Sequence, residues 1–390
     1  MSLWAGPALI ALIGTLLAWA GTTRGVDSIV FYVFSIVDRI PWNPIELLKP
    51  IYNPPPMFTH AYRPLSTTLV KLGGALFARD LAGLEAFGFV HGLALIPYGL
   101  AARYCLKAHA ISDRLATLAA LLAMATPTVL FSAWTIPEFD MVGGIWVLMA
   151  TAELRRGRPR WAWLWIVLAL LTKETTAILM FAVLLARAGV AVADGGEPLR
   201  RAFRLPLLYV GLLLLAVGPI LFKRADMTQA FNVADARFEW SRVYWLGHHA
   251  VSQLIAIFGA AGAVLWAWVT LPDKRWALVL AAALPFASPI LRSYNHYESI
   301  ALSSLIAAVV IGSGMLGALL AIVVRERSDR RFFAATLVLS FLGLLAGPIL
   351  ASASRADLSA RLFAPVIPLG FALALSGGVR ALALFKRGDR

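Results

Sequence analysis

A single cysteine, Cys105, stands in a chain of 390 residues, which excludes an intramolecular disulfide and any multi-cysteine metal site. Set among apolar residues near a helix end, it reads as packing. Charge is scarce too: Asp, Glu, Lys and Arg make up only 14% of the chain, against 60% hydrophobic residues and a mean hydropathy of +0.77. A soluble domain of this size needs far more polar surface to cover itself. A Gly-rich phosphate loop, a nucleophile elbow and a His-rich metal motif are all missing, so nothing suggests cytoplasmic nucleotide chemistry, and no cofactor or metal is expected. The chain shows no internal repeat, low-complexity tract or separate soluble domain. The missing repeat ranks a transporter last among the readings, because transporter halves often echo each other.

What the chain does have is long apolar stretches from end to end. Because roughly 20 apolar residues cross a bilayer, about twelve spans fit. They fall near 3–20, 84–104, 114–132, 138–154, 160–171, 175–190, 205–222, 249–270, 276–291, 299–323, 332–350 and 363–384. This predicts an all-α, polytopic transmembrane bundle, with residues 1–390 forming one domain. The first stretch has no basic leader and no clear cleavage site, so it reads as a retained helix, with a signal peptide as the alternative reading. The region 160–190 is open to one long helix or two, broken at Thr172-Lys173-Glu174-Thr175-Thr176. Two spans keep the charge alternation downstream intact.

The net charge of +14 is dispersed in short clusters between apolar segments, as membrane topology requires and nucleic-acid binding does not. With the N-terminus inside, the cytoplasmic clusters are Arg103/Lys107/Arg114, Arg155/Arg156/Arg158/Arg160, Arg187 to Arg204, Lys274/Arg275, Arg325 to Arg331 and Arg380 to Arg390. The opposite side carries a nearly balanced mixture of acids and bases. The expected location is the cell inner (cytoplasmic) membrane, multi-pass, with both termini cytoplasmic. Two non-cytoplasmic loops are long, 21–83 and 223–248. In the first, amphipathic pieces at Val26–Ile40 and Arg63–Ala78 flank the turn Tyr52-Asn53-Pro54-Pro55-Pro56 and suit the membrane surface. The second mixes charge with Phe231, Phe238, Trp240, Tyr244 and Trp245, which suits the headgroup zone.

Candidate site residues gather at the non-cytoplasmic face, where charge beside the apolar slab is costly unless paired or in a wet cavity. Asp27 is either a general base toward an acceptor hydroxyl or the N-cap of a helix over 28–38. Glu138 and Asp140 open a span, where the helix dipole alone favours acids; the functional reading makes Asp140 a site carboxylate that orients a hydroxyl or a basic side chain. Lys173 and Glu174 read either as a turn ion pair or as a phosphate-neutralising Lys positioned by its neighbour. Arg292, His296 and Arg361 add cationic groups that suit phosphate or anchor at the interface. His91, inside the second span, reads as a satisfied interior histidine.

Tyr62-Arg63-Pro64-Leu65-Ser66, after an outer loop that opens with Asp27, resembles the first-loop signature of GT-C-fold glycosyltransferases, nearest the protein O-mannosyltransferase-like branch and its bacterial relatives. Ala133-Trp134-Thr135-Ile136-Pro137-Glu138-Phe139-Asp140 is similar to that branch's tryptophan-then-aspartate segment, and Leu168-Ala169-Leu170-Leu171-Thr172-Lys173-Glu174-Thr175 to its Lys-Glu segment. The resemblance covers roughly the first half of the chain. It implies inverting transfer of a sugar from a polyprenyl-phosphate donor to a glycan, lipid or protein acceptor at the non-cytoplasmic face. Asp27 would be the first-loop catalytic carboxylate and Asp140 a second acid; Lys173 and Glu174 would lie near the donor phosphate, and Arg63 would position the loop. Relatives often pair acids in the first loop, whereas Ser28 follows Asp27 here, and Thr126, Leu130 and Phe131 stand where a His and a Glu often precede the tryptophan segment. The alternative is therefore a non-catalytic accessory or structural subunit of a larger membrane complex, built on the same scaffold.

Overall fold

The apolar runs fold as helices, and no strand forms among the residues that the computed structural model describes: 5–21, 42–43, 64–77, 81–134, 139–223, 316–317, 319–326, 329–350 and 364–376. In chain order the helices are α1 (Ala5–Gly21), α2 (Pro64–Phe77), α3 (Leu81–Gly92), α4 (Leu95–Ala108), α5 (Asp113–Met124), α6 (Pro127–Trp134), α7 (Asp140–Arg155), α8 (Pro159–Thr172), α9 (Glu174–Ala193), α10 (Leu199–Ala202), α11 (Arg204–Lys223), α12 (Asp329–Leu350) and α13 (Ile367–Ser376). A short helical piece at 319–325 precedes α12.

The hub is α7, which buries nearly every residue from Asp140 to Leu154. It packs against α4 and α8 and also touches α6 and α9; α9 in turn packs against α11 and α12, and α1 closes over α3, α4 and α5. Two glycines make the close approaches possible. A Cβ on Gly143 would run into the Thr176 side chain on α9, and one on Gly144 would meet the Tyr98 ring on α4 and the backbone of Pro365. The Tyr98 hydroxyl, fully buried, donates to the Ala364 carbonyl at 2.6 Å and ties α4 to the segment entering α13.

Three helices stop in the same way. At the ends of α7 and α9, Gly157 (φ +70°) and Gly195 (φ +68°) adopt the left-handed conformation, and the paired bonds Arg158 N–H to Glu153 O and Gly196 N–H to Ala191 O close the last turns. At the end of α4 the same motif uses Ala110 (φ +57°), with Ile111 N–H on Leu106 O. A non-glycine there costs about 1–2 kcal/mol, because its Cβ crowds the carbonyl.

Sequence hydropathy reads 114–132 as one span, but the chain breaks there into α5 and α6. Pro127 has no N–H to continue the ladder. Thr126 takes over the ends on both sides, its hydroxyl donating to Ala123 O at 2.7 Å and receiving Val129 N–H at 3.4 Å. The region 160–190 is two helices, α8 and α9, packed against each other. Among the described residues, two runs are long and apolar enough to cross a membrane, Ala82–Ala108 and Thr176–Ala193, while α1, α8 and α13 are apolar but shorter. Large apolar side chains stand exposed in rows, with Leu9, Leu12 and Leu16 on one face of α1 and Leu207, Leu208, Leu214 and Leu215 on one face of α11.

Candidate functional site

Polar side chains collect at the two ends of the bundle. The starts of α7 and α9 define one end, and their finishes, with the start of α12, define the other. At a 1.5 Å rise per residue the two ends of α7 are roughly 22 Å apart.

At the first end, Lys173 is the single residue between α8 and α9, with an extended backbone (φ −162°, ψ 147°). The break frees the Thr172 carbonyl, which receives the Ser66 hydroxyl from α2 at 2.6 Å. The same break turns Lys173 inward, where its ammonium donates to the Asp140 carboxylate at 2.8 Å, the two side chains 5% and 1% exposed. Asp140 is the first residue of α7, where the positive end of the helix dipole favours a carboxylate. Two buried ions are tolerated only when each faces the other in good geometry, since desolvation alone opposes both.

The start of α7 is held from outside its own sequence. Phe139 precedes it and offers no side-chain cap, but the Ser132 hydroxyl on α6 receives Met141 N–H at 3.0 Å. His91, near the end of α3, places Nε2 3.1 Å from the Ser132 carbonyl and its ring edge-on to Phe139, centroids 5.2 Å apart. A carbonyl can only accept, so Nε2 carries the proton. One turn into α9, the Thr176 hydroxyl is buried against Gly143 with no hydrogen-bond partner among the described residues.

α2 leans its buried face on this end. Val70 packs with Phe139 and Val142, and Lys71, also buried, lies 4.8 Å from the centre of the Trp42 ring. Trp134 on α6 donates its indole N–H to Leu17 O at 2.9 Å, and Gly21 at the end of α1 lies against the same ring. Three segments distant in the sequence therefore meet here: Ser66 of the Tyr62–Ser66 motif, Trp134 and Asp140 of the second, and Thr172 and Lys173 of the third.

Of the residues singled out from the sequence, Asp140 and Lys173 are brought into contact, and Glu174 opens α9. Asp27, Arg63, Glu138, Arg292, His296 and Arg361 lie outside the described residues, as do the piece at 26–40 and, of the loop read at 223–248, all but Lys223, which closes α11. Sequence reasoning passed over Lys71, although a cation in the apolar stripe of the Arg63–Ala78 piece was a visible signal. It also passed over Ser132, which no local pattern marks because it caps a neighbouring helix. Among the described residues no group of three or more His, Cys, Asp and Glu is placed to hold a metal ion.

The second end is a lattice of ion pairs. Asp329, the first residue of α12, receives His109 Nδ1–H at 2.8 Å and is bridged by Arg155 through Nε at 3.1 Å and Nη2 at 3.3 Å. Burial pushes the Asp329 carboxyl up, but the bonds and charges of His109 and Arg155 outweigh it and hold the group below the usual carboxylate range. The His109 ring lies parallel to Phe332, 5.1 Å away. Arg331 meets Asp194 at 2.5 Å, and Arg103 and Lys107 hold Asp113 at 2.5 and 3.1 Å. The Tyr104 hydroxyl donates to Glu153 at 2.5 Å beneath the guanidinium of Arg156.

No family model, curated protein sequence or solved structure matches the chain.

Proposed function

We propose that the chain is a multi-pass protein of the inner (cytoplasmic) membrane, a GT-C-like glycosyltransferase that moves a sugar from a polyprenyl-phosphate donor to an acceptor at the non-cytoplasmic face. The observation that carries this reading is the meeting of the three resembling segments at the Ser66–Thr172 and Asp140–Lys173 contacts. The exposed leucine rows of α1 and α11 support a lipid-facing surface, since a soluble monomer rarely leaves such patches bare. The basic lattice at the opposite end agrees with a cytoplasmic side rich in Arg and Lys.

In this reading the acceptor oxygen bonds to the anomeric carbon from the side opposite the phosphate. The carbon–oxygen bond to the phosphate breaks, its electron pair leaves with polyprenyl phosphate, and Asp27 takes the acceptor's proton. Lys173 offsets charge on the departing phosphate, with Arg63, Arg292, His296 and Arg361 as further donors and Glu138 and Glu174 setting their positions. The test is transfer from a radiolabelled polyprenyl-phosphate sugar by the protein in lipid nanodiscs. Asp27→Asn should lower the rate by about a hundredfold or more. Full activity in that variant would remove Asp27 from the role, and a wild-type protein that neither binds nor turns over the donor would remove the reading.

A second reading, a non-catalytic subunit of a larger membrane complex on the same scaffold, is favoured by the closure of the Asp140–Lys173 pair, which leaves little of either side chain exposed. Stable co-purification with other membrane subunits, without bound polyprenyl phosphate, is its signature.

A further inference from the structure

The geometry assigns His91 and Ser132 as positioning residues that hold Asp140 against Lys173, a role resting on the reading of that pair as part of the site. Five buried residues stand in line. The His91 Nε2–H donates to the carbonyl of Ser132, the Ser132 hydroxyl receives Met141 N–H, and Met141 follows Asp140, whose carboxylate takes the Lys173 ammonium. The line crosses three helices, from α3 through α6 to the first turn of α7, and ends at the junction of α8 and α9.

Its first link is set by chemistry. Because Nε2 faces a carbonyl, that nitrogen is committed as a donor, and the edge-on contact with Phe139 fixes the plane of the ring. Phe139 immediately precedes Asp140, so His91 touches the entry to α7 twice, through Ser132 and through Phe139. The second link replaces a cap that α7 does not supply for itself. An orphan N–H at a buried helix start is costly, and the helix relieves that cost by shifting until it finds a partner. Ser132 removes the incentive to shift. A displacement of about 1 Å at Asp140 is enough to open a 2.8 Å ion pair, and errors of that size in a supporting shell are what cost precision at polar sites.

The test follows Lys173 directly, so it does not depend on transfer activity. The full chain in nanodiscs is treated with a small acetylating reagent, and the rate at Lys173 is read by mass spectrometry, while maleimide labelling of Cys105, fully buried on α4, reports general loosening. Ser132→Ala and His91→Leu should each raise acetylation of Lys173 by about tenfold, the worth of one hydrogen bond to a buried group, with Cys105 unchanged. Ser132→Thr and His91→Gln, which keep the hydroxyl and a donor, should return toward the wild-type rate. Unchanged Lys173 labelling in Ser132→Ala overturns the assignment, and so does a parallel rise at Lys173 and Cys105, which would mark a purely structural role. Binding of decaprenyl phosphate to the wild-type protein is measured separately. Its absence, with the labelling pattern as expected, would defeat the transferase reading while leaving the positioning role standing.

Discussion

The ammonium of Lys173 reaches the carboxylate of Asp140 across the seam where α7, α8 and α9 meet, 33 residues apart in the chain and 2.8 Å apart in space. Each ion makes the burial of the other tolerable. Asp140→Asn should therefore destabilise the protein by about 3–5 kcal/mol, the usual cost of removing one partner from a buried pair. Lys173→Met should cost less, because the start of α7 still favours a carboxylate. Replacing both, Asp140→Leu with Lys173→Met, should recover much of the loss. Thermal unfolding followed with a thiol-reactive dye on Cys105 measures all three; equal losses for the two single variants would refute the asymmetry.

Ala110 offers the opposite kind of change. It holds a left-handed backbone that glycine adopts freely, at the end of α4. Ala110→Gly should raise stability by roughly 0.5–1 kcal/mol, the relieved strain partly offset by the greater freedom of glycine in the unfolded chain. The same thermal assay reads the sign.

At Gly143 a methyl group has no room, since it would press on the β-branched and therefore stiff Thr176 side chain. Gly143→Ala should cost about 1–3 kcal/mol despite its better helix propensity. Adding Thr176→Ala should restore most of that. Thr176→Val alone should be close to neutral, because the hydroxyl it removes has no partner among the described residues.

Asp329 makes the basic end sensitive to acid. Its folded carboxyl titrates below the unfolded value, so its contribution is present above the unfolded pKa of about 3.9 and is lost as pH falls through the folded one. As pH falls below about 3.9 and through the folded pKa, the wild-type protein should lose the stability that Asp329→Asn has already lost at pH 7, and the two unfolding curves should converge below that folded pKa. Parallel curves would contradict the assignment.

Much of this architecture was open to reading from residue order. Long apolar runs announce helices because buried backbone must satisfy itself, and the polar Thr172–Thr176 stretch marks the break between α8 and α9. The break at Thr126–Pro127 escapes hydropathy, since apolar residues on both sides average over a single proline. Asp140 and Lys173 were each visible as ionisable residues beside apolar helices, but their partnership depends on α8 folding back along α7 through the Gly157 turn. The basic clusters read as topology signals. Of the acids woven through them, Asp113 pairs with its own neighbours Arg103 and Lys107, whereas Asp194 and Asp329 become ion-pair partners only when helix ends from far along the chain arrive together.

The bond from Tyr98 to Ala364 spans 266 residues, and this separation bears on biosynthesis. The Tyr98 hydroxyl enters an apolar interior early in translation, while its acceptor leaves the ribosome near the end. Until then α4 carries a donor without its final partner, in surroundings that supply few substitutes. A chain truncated before residue 364 lacks the Ala364 carbonyl altogether, so the Tyr98 hydroxyl never gains that partner.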